Sequence, residues 1–599
     1  MFVKYAYDQP KGHASIDWAL VKKFFPFLKP HAKIIIGSLL LMPFMIFSEL
    51  AQPYILKTAI DDYIFKHNLK GLLIISLLFC VFMCLEMVLK YYHFYFLQLS
   101  GQRVVRDVRD ELFKHTESLN MSFYSRTPVG VLITRITNDL EVINEMFSAG
   151  LVLLISDSIK LVIIVTLMAT MNVKLTLMTL LVVPLLVAGA IYFSACLRDA
   201  FREVRTRVAR LNSHLEETLN GIETVHLFNA EDIRKKTYTE QNNLHRLANY
   251  KSIRSDSMLF ALVESISFIS IAFLIGYGGR QLMAGAVTFG MLVAFLEYIR
   301  KFFIPIRDLS AKFAIMQAAM VALEKIFSLF DVKDKPRVYS EHITIPEKYE
   351  GPHIEFRDVS FGYKDDTLVL KDVNLSIPHG SHVAVVGATG AGKTTLARLL
   401  LKLFEGFLGD IFYKGVAIRD ISPDELRKRI LLVSQDVYIF SGELRHNLTL
   451  GKIELSDAEI LDVFKELGVE YFLSRFRNGL STTLMEMGSN LSSGERQLLS
   501  FIRAYILKPD ILVLDEATAH IDIETERLLQ QAMRVALKNK TAILIAHRLQ
   551  TILYADIILL MHRGRIKERG THEELLEKNG IYRNLYDSQF INSVEVAHR

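Results

Sequence analysis

The residues from Leu175 to Leu197 form a run of 23 without a charged side chain, closed at its ends by Lys174 and Arg198. No other feature narrows the possible folds so far. A helix needs roughly 20 mostly apolar residues to cross the hydrocarbon core of a bilayer. Backbone in lipid must satisfy its own hydrogen bonds, so such a segment is helical. Five more apolar runs fall near 33–57, 71–97, 147–171, 257–281 and 287–306, with one to three charges each. Six such runs in one region are hard to solvate as buried helices of a soluble domain, so six spanning helices are expected.

The connections between these runs are unequal. Asp61 to Lys70, Asn172 to Lys174 and Gly279 to Ala286 are short. Ser100 to Glu145 and Arg198 to Arg254 are long and helical in pattern, and they carry basic residues such as Arg202, Arg205, Arg207 and Arg210. The positive-inside rule places the long connections in the cytoplasm, together with an N-terminus bearing Lys4, Lys11, Lys22, Lys23 and Lys29. Six spans return the C-terminal half to the same side. The expectation is a multi-pass protein of the cytoplasmic membrane with both termini and the C-terminal domain cytoplasmic. Residues 1–31 lack the apolar core and cleavage site of a signal peptide; within them Ser15 to Leu28 fits an amphipathic helix on the membrane surface. Residues 32–330 form the membrane domain. Residues 331–352, with Pro336, Pro346 and Pro352, read as a linker. Residues 353–599 alternate short apolar strands with amphipathic helices, the texture of a soluble α/β domain.

Composition excludes several classes. With 51% hydrophobic residues and only 31 Gly and 14 Pro, the chain is neither disordered nor collagenous. A net charge of +5 from 70 basic and 65 acidic residues is too small to suggest a nucleic-acid partner. Cys80, Cys84 and Cys196 lie in apolar runs and give neither a disulfide framework nor zinc spacing.

The chemistry is written in the C-terminal half. Gly387-Ala388-Thr389-Gly390-Ala391-Gly392-Lys393-Thr394 fits the phosphate-loop pattern G-x-x-x-x-G-K-[ST], and Thr395 follows it. It comes after a strand-like His382 to Val386 and opens a helix at about 394–404. Backbone N–H groups of such a loop close around phosphates, Lys393 reaches the β- and γ-phosphates, and the Thr394 hydroxyl ligates Mg²⁺. Ile511 to Leu514 reads as a buried strand ending in Asp515 and Glu516. Asp515 suits Mg²⁺, and Glu516 suits polarising the water that attacks the γ-phosphate.

Between these lies Leu491-Ser492-Ser493-Gly494-Glu495-Arg496-Gln497, which resembles the signature Leu-Ser-Gly-Gly-Gln of ATP-binding cassette (ABC) transporters. The other parts follow in the family's order. Tyr363, 24 residues before Gly387, resembles the aromatic that stacks on adenine. Gln435, in Leu432-Val433-Ser434-Gln435, resembles the glutamine that reaches Mg²⁺. Asp522 resembles the D-loop aspartate, and His547 in Ile545-Ala546-His547-Arg548 the switch histidine. The segments Asn120 to Asp139 and Gly221 to Glu231 are similar to the two intracellular loops of the exporter branch. The resemblance implies an α-helical membrane domain of six spanning helices with long cytoplasmic extensions, fused to an α/β P-loop ATPase domain of the ABC type. It implies ATP and Mg²⁺ as cofactors, Glu516, His547 and Gln435 as catalytic residues, and ATP-driven export of an amphipathic drug, lipid or peptide. A lipid flippase is an alternative, and a cassette-regulated channel is less favoured. Partners would be a second half-transporter, membrane lipids and a small amphipathic substrate, with no nucleic acid.

The sequence also departs from the family. Ser493 stands where the signature has glycine and Glu495 where it has glutamine. In the family the signature contacts the γ-phosphate held by the opposite subunit, so Glu495 should weaken that contact unless Arg496 neutralises it. An altered signature beside an intact Glu516 resembles one subunit of heterodimeric exporters; a homodimer is the alternative. His520 is unusual in the D-loop and has no account. Charged residues also fall in the apolar runs. Glu86 and Lys90 are four apart and Asp157 and Lys160 three apart, so each pair can meet on one helix face. Glu49, Glu264 and Glu297 have no such neighbour and are candidates for contacting a cationic substrate, with Tyr298, Phe295, Phe302 and Phe303 along the same path.

Overall fold

A computed structural model gives the fold, described for residues 17–334, 344–363, 367–451, 454–515, 523–545, 552 and 555–588. The chain divides into two compact units: residues 1–117 with 128–333, and residues 118–127 with 334–599.

The described residues of the first unit form helices joined by short turns, with no strand among them. Its long helical segments are Trp18–Ile64, Leu69–Glu117, Val129–Met171, Val173–Asn220, Glu231–Met283 and Phe289–Phe330. Five are long and apolar enough to cross a membrane. That count is of the described residues and does not include Phe289–Phe330, so it does not itself reach the expected six. The breaks have local causes. Asn172 alone separates two segments, and its side chain accepts the Leu175 N–H at 3.1 Å, an N-cap. Thr288 caps the last segment by accepting the Met291 N–H at 3.3 Å, and Asp61 accepts the neighbouring Gly290 N–H at 2.8 Å. A Cβ at Gly290 would lie 2.5 Å from the Lys57 carbonyl oxygen, so only glycine allows this approach. Asp61 and Gly279 are still helical, so the short connections are tighter than the sequence suggested. Met42, Ile46, Leu50, Ile164, Val263, Phe295 and Tyr298 form a packed core. Leu73, Ile74 and Leu77 remain exposed, as expected of lipid-facing positions.

The second unit is α/β. Strands β1 (Ile354–Phe361), β2 (Leu370–Ile377), β4 (Leu408–Tyr413) and β5 (Val416–Ala417) form an antiparallel sheet in the order β2-β1-β4-β5, counting β3 as His382–Val386. With β6 (Ile430–Val433), β9 (Ile511–Asp515), β10 (Thr541–Ile545), β11 (Ile557–His562) and β12 (Arg565–Gly570), a second sheet runs β12-β11-β3-β10-β9-β6, while β7 (Gly442–Glu443) and β8 (Thr483–Leu484) pair separately, antiparallel to each other. All its pairings are parallel except the β11–β12 edge. Strands β9 and β10 are buried along their whole length, which explains their unbroken apolar sequences. At the opposite end of β10 from the phosphate loop, His353 is buried against His379 and Tyr413 and its Nδ1 meets the Thr541 hydroxyl at 2.7 Å. Burial, reinforced by His379 and Lys414, pushes its pKa down to about 4.

Candidate functional site

Register puts the site together. Ile545 of β10 pairs with Asp515 of β9 on one side and Val385 of β3 on the other. Asp515 and the loop after β3 therefore emerge at the same carboxyl edge of a parallel sheet, where ligands bind in open α/β folds. The loop from Gly387 leads into the helix Lys393–Leu400, shorter at its far end than the sequence suggested. Gly387 and Gly392 have φ of +150° and +103°; a Cβ would meet the Met561 carbonyl oxygen at 2.2 Å at the first and Leu370 Cδ2 at 2.7 Å at the second. Both must be glycine for the backbone to fold back on itself. Lys393 is buried and donates to the carbonyls of Gly387 at 2.7 Å and Ala388 at 3.2 Å. Its ammonium is thus held over the mouth of the loop, among N–H groups at a helix start, an arrangement able to take a polyanion.

Tyr363 lies on the flank. Its ring meets Phe361 and Phe404 edge-on, at 5.1 Å in each case, and its hydroxyl is 3.1 Å from that of Thr395. Its carbonyl accepts from Arg126 at 3.3 Å. Arg126 belongs to the short segment 118–127, which is also tied to this unit by Asn120 donating to Asp334 at 2.9 Å. Sequence reasoning missed Arg126; the loop it lies in was noted, but nothing in the loop's sequence points to Tyr363. Gln435 follows β6 and is exposed. Ala388, Thr389 and Gly390 are exposed, while Ala391 and Thr395 are buried. Thr394 is half-buried. Glu516, Asp522, His520 and His547 lie outside the described residues.

The signature segment opens the helix Ser493–Ile506. Ser492 caps it: its hydroxyl accepts the Glu495 N–H at 3.2 Å, and Glu495 Oε2 accepts the Ser492 N–H at 2.7 Å. This reciprocal box satisfies two helix-end donors at once. The other Glu495 oxygen pairs with Arg475 at 3.1 Å. Arg496 instead donates to the carbonyls of Leu491 at 2.8 Å and Gly488 at 3.3 Å. The condition left open by the sequence, neutralisation of Glu495 by Arg496, is not met: Arg475 is the basic partner among the described residues, and Arg496 points back along the preceding turn. Leu491 and Gly494 are buried, and Ser493 is exposed.

The charges in the membrane unit also differ from expectation. Glu86 pairs with Lys90 as its spacing foretold. Asp157 does not pair with Lys160; it pairs with Lys312, and Lys160 reaches Glu49 at 2.9 Å. Glu49 is thus not without a mate, since Lys90 at 3.7 Å and Lys301 at 3.8 Å also face it. Glu297 pairs with Arg300 at 3.4 Å. Glu264 is exposed and makes no ion pair among the described residues. Tyr298 is fully buried and donates to the Leu50 carbonyl at 2.8 Å; with Phe295, Phe302 and Phe303 it belongs to the helix core.

Comparison with known proteins agrees on both halves. Residues 34–306 match the family model of the ABC transporter transmembrane region and residues 370–519 that of the ABC transporter. The uncharacterized ABC transporter ATP-binding protein YknV of Bacillus subtilis is 33% identical over 588 residues, 97% of this chain and 96% of its own. The putative multidrug export ATP-binding/permease protein YgaD of the same organism is 31% identical over 584 residues, 96% of this chain and all of its own. A putative multidrug export ATP-binding/permease protein of Staphylococcus aureus is 32% identical over 95% of this chain.

Proposed function

This chain belongs to the ABC transporters, in which ATP hydrolysis is coupled to transport across a membrane, and on that premise we propose that it is one half of a dimeric exporter moving an amphipathic compound out through the cytoplasmic membrane. One observation carries this reading: the glycine-shaped loop with Lys393 and the carboxylate of Asp515 stand at one edge of one parallel sheet, in a chain whose other half is long apolar helices. The residues fit ATP. Backbone N–H groups from Gly387 to Thr395 cradle the phosphates, Lys393 turns from its two carbonyls to the β- and γ-phosphates, and Tyr363 takes the adenine. Thr394, Gln435 and Asp515 would hold Mg²⁺ through oxygen, which suits a hard cation, and the ion would neutralise phosphate charge. Glu516 polarises the attacking water and His547 supports it; Asp522 belongs to the contact between subunits.

The basic residues of the long extensions support a cytoplasmic ATPase domain with both termini on that side. Residues 32–330 serve as the membrane domain, with Phe289–Phe330 as its sixth span, 331–352 as linker and 353–599 as the ATPase. The bend between Val173–Asn220 and Glu231–Phe273 exposes Phe228 at 77%, which suits docking onto an ATPase domain. The altered signature favours a heterodimer, in which a partner half-transporter supplies an intact signature to the site formed by Lys393 and Glu516, while Leu491 to Glu495 complete the weaker one. In proteoliposomes, ATP should drive dye extrusion, and Lys393→Ala should abolish both extrusion and phosphate release. Flux that persists in Glu516→Gln with hydrolysis lost would instead identify an ATP-gated channel and refute the exporter.

A further inference from the structure

The ionic cluster of the membrane unit carries more positive than negative charge. Lys90, Lys160 and Lys301, from three helices, all face Glu49, and Lys90 also pairs with Glu86 on its own helix. Gln52 donates to Glu86. Among the described residues, three ammonium groups against two carboxylates leave one positive charge unmatched. The neighbouring Asp157–Lys312 and Glu297–Arg300 pairs are each neutral and do not supply the missing anion. Counting the helical rise from the short connections, Lys160 and Lys301 lie roughly 17–18 Å, Glu49 and Glu86 roughly 22–26 Å and Lys90 roughly 32 Å into their helices, which runs from the middle of the hydrocarbon core to its far boundary. A net charge there is costly unless something pairs with it.

Exposure shows where the pairing would happen. Glu49 and Lys160 are enclosed, with side chains 10% and 14% exposed, whereas Lys90 is 49% exposed. On the same helix Met83 and Met87, seven and three residues before Lys90, and Phe94, four after it, are exposed too. This spacing places them on the Lys90 face, so the half-open ammonium stands within an apolar stripe. We propose that the cluster binds the anionic head, a carboxylate or phosphate, of an amphiphile whose tail lies along Met83, Met87 and Phe94. This deepens the exporter reading and rests on it: it makes the transported class anionic, where the acidic residues alone had suggested a cation.

The test is a binding titration of the full chain in phosphatidylcholine nanodiscs without nucleotide, with empty nanodiscs as reference. The probes are dodecanoate, dodecyl phosphate, dodecyltrimethylammonium and inorganic phosphate. Both anionic amphiphiles should bind at least about tenfold tighter than the cation, the effect of one partly screened charge. Lys90→Gln makes the cluster neutral and should remove that preference, while Lys90→Arg should keep it. Glu49→Gln raises the surplus to two and should hold or tighten the anions. A cluster that only ties helices together would show no head-group preference and no opposite response of the Lys90 and Glu49 variants; either result overturns the proposal. Inorganic phosphate bound as tightly as dodecyl phosphate would overturn it as well, since the tail would then contribute nothing. Phosphate release from ATP, assayed separately, distinguishes the two readings: release and extrusion without anion preference sink this inference alone, and anion preference without release sinks the exporter alone.

Discussion

Arg475→Ala removes the one basic partner that the unusual acid of the signature has among the described residues, and its effect can be worked out. The pair is close, 3.1 Å, but Arg475 is 44% exposed, so its direct contribution to stability is that of a partly solvated ion pair, about 0.5–1 kcal/mol. The larger effect is on the nucleotide. With Arg475 present, Glu495 presents little net charge to a γ-phosphate held across the dimer. Without it, one negative charge at a separation of about 6 Å and an effective dielectric near 40 costs roughly 1.4 kcal/mol, or tenfold in closure of the ATP-bound dimer. Glu495→Gln should leave the helix start intact, because glutamine can close the same capping box with Ser492. A double-mutant cycle is therefore decisive. In nanodiscs at low salt, ATPase activity of the lone chain should fall about three- to tenfold in Arg475→Ala, and should recover when Glu495→Gln is added. At high salt the single defect should shrink. An equal loss in the wild-type and Glu495→Gln backgrounds would refute the reasoning, since Arg475 would then act on something other than that charge.

Other outcomes follow from the same structure. Glu516→Gln should retain ATP affinity and lose most phosphate release, measured in detergent or nanodiscs; near-normal release would remove Glu516 from catalysis. Phe228→Asp should leave ATP binding unchanged and sharply reduce dye extrusion in proteoliposomes, because an apolar tip exposed at 77% is replaced by a charge that a docking groove would reject. His353, with its pKa at about 4 against about 6.5 unfolded, stays neutral in the fold while the unfolded chain takes up a proton. Stability should therefore fall as pH drops from about 6.5 to about 4 and level off below, by at most about 3 kcal/mol for this group. Thermal denaturation of the full chain followed by circular dichroism should show that slope, and His353→Phe should flatten it.

What could be read from the sequence was whatever is local or periodic. The charge-free run from Leu175 to Leu197 falls in the described helices Val173–Leu180 and Val183–Asn220. The strands His382–Val386 and Ile511–Asp515 lie where apolar runs and the phosphate loop put them. The i, i+4 rule found Glu86 and Lys90. The i, i+3 rule misassigned Asp157 and Lys160, because each met a stronger partner on another helix, Lys312 and Glu49. No local pattern encodes such meetings, which depend on how three helices pack. Arg475 was hidden for the same reason: it stands 20 residues before Glu495, and the fold of the intervening chain brings it back. The glycines of the phosphate loop, in contrast, were legible as a motif, and the structure adds the reason each lacks a side chain.

The single residue Asn172 has a mechanical consequence. A joint of one residue stores no slack, so the segments it links can turn about it but cannot slide apart. The arm beginning at Val173 runs 48 residues to Asn220, broken only by a turn at Leu181–Val182. At about 1.5 Å per residue that is roughly 72 Å, so a swing of about 10° at the joint carries the far tip through about 12 Å. Asn172 would be the pivot of such a lever, and its side chain is hydrogen-bonded to the first turn of the arm. Lengthening that joint with flexible residues would let the arm absorb such a swing before it reached the other end.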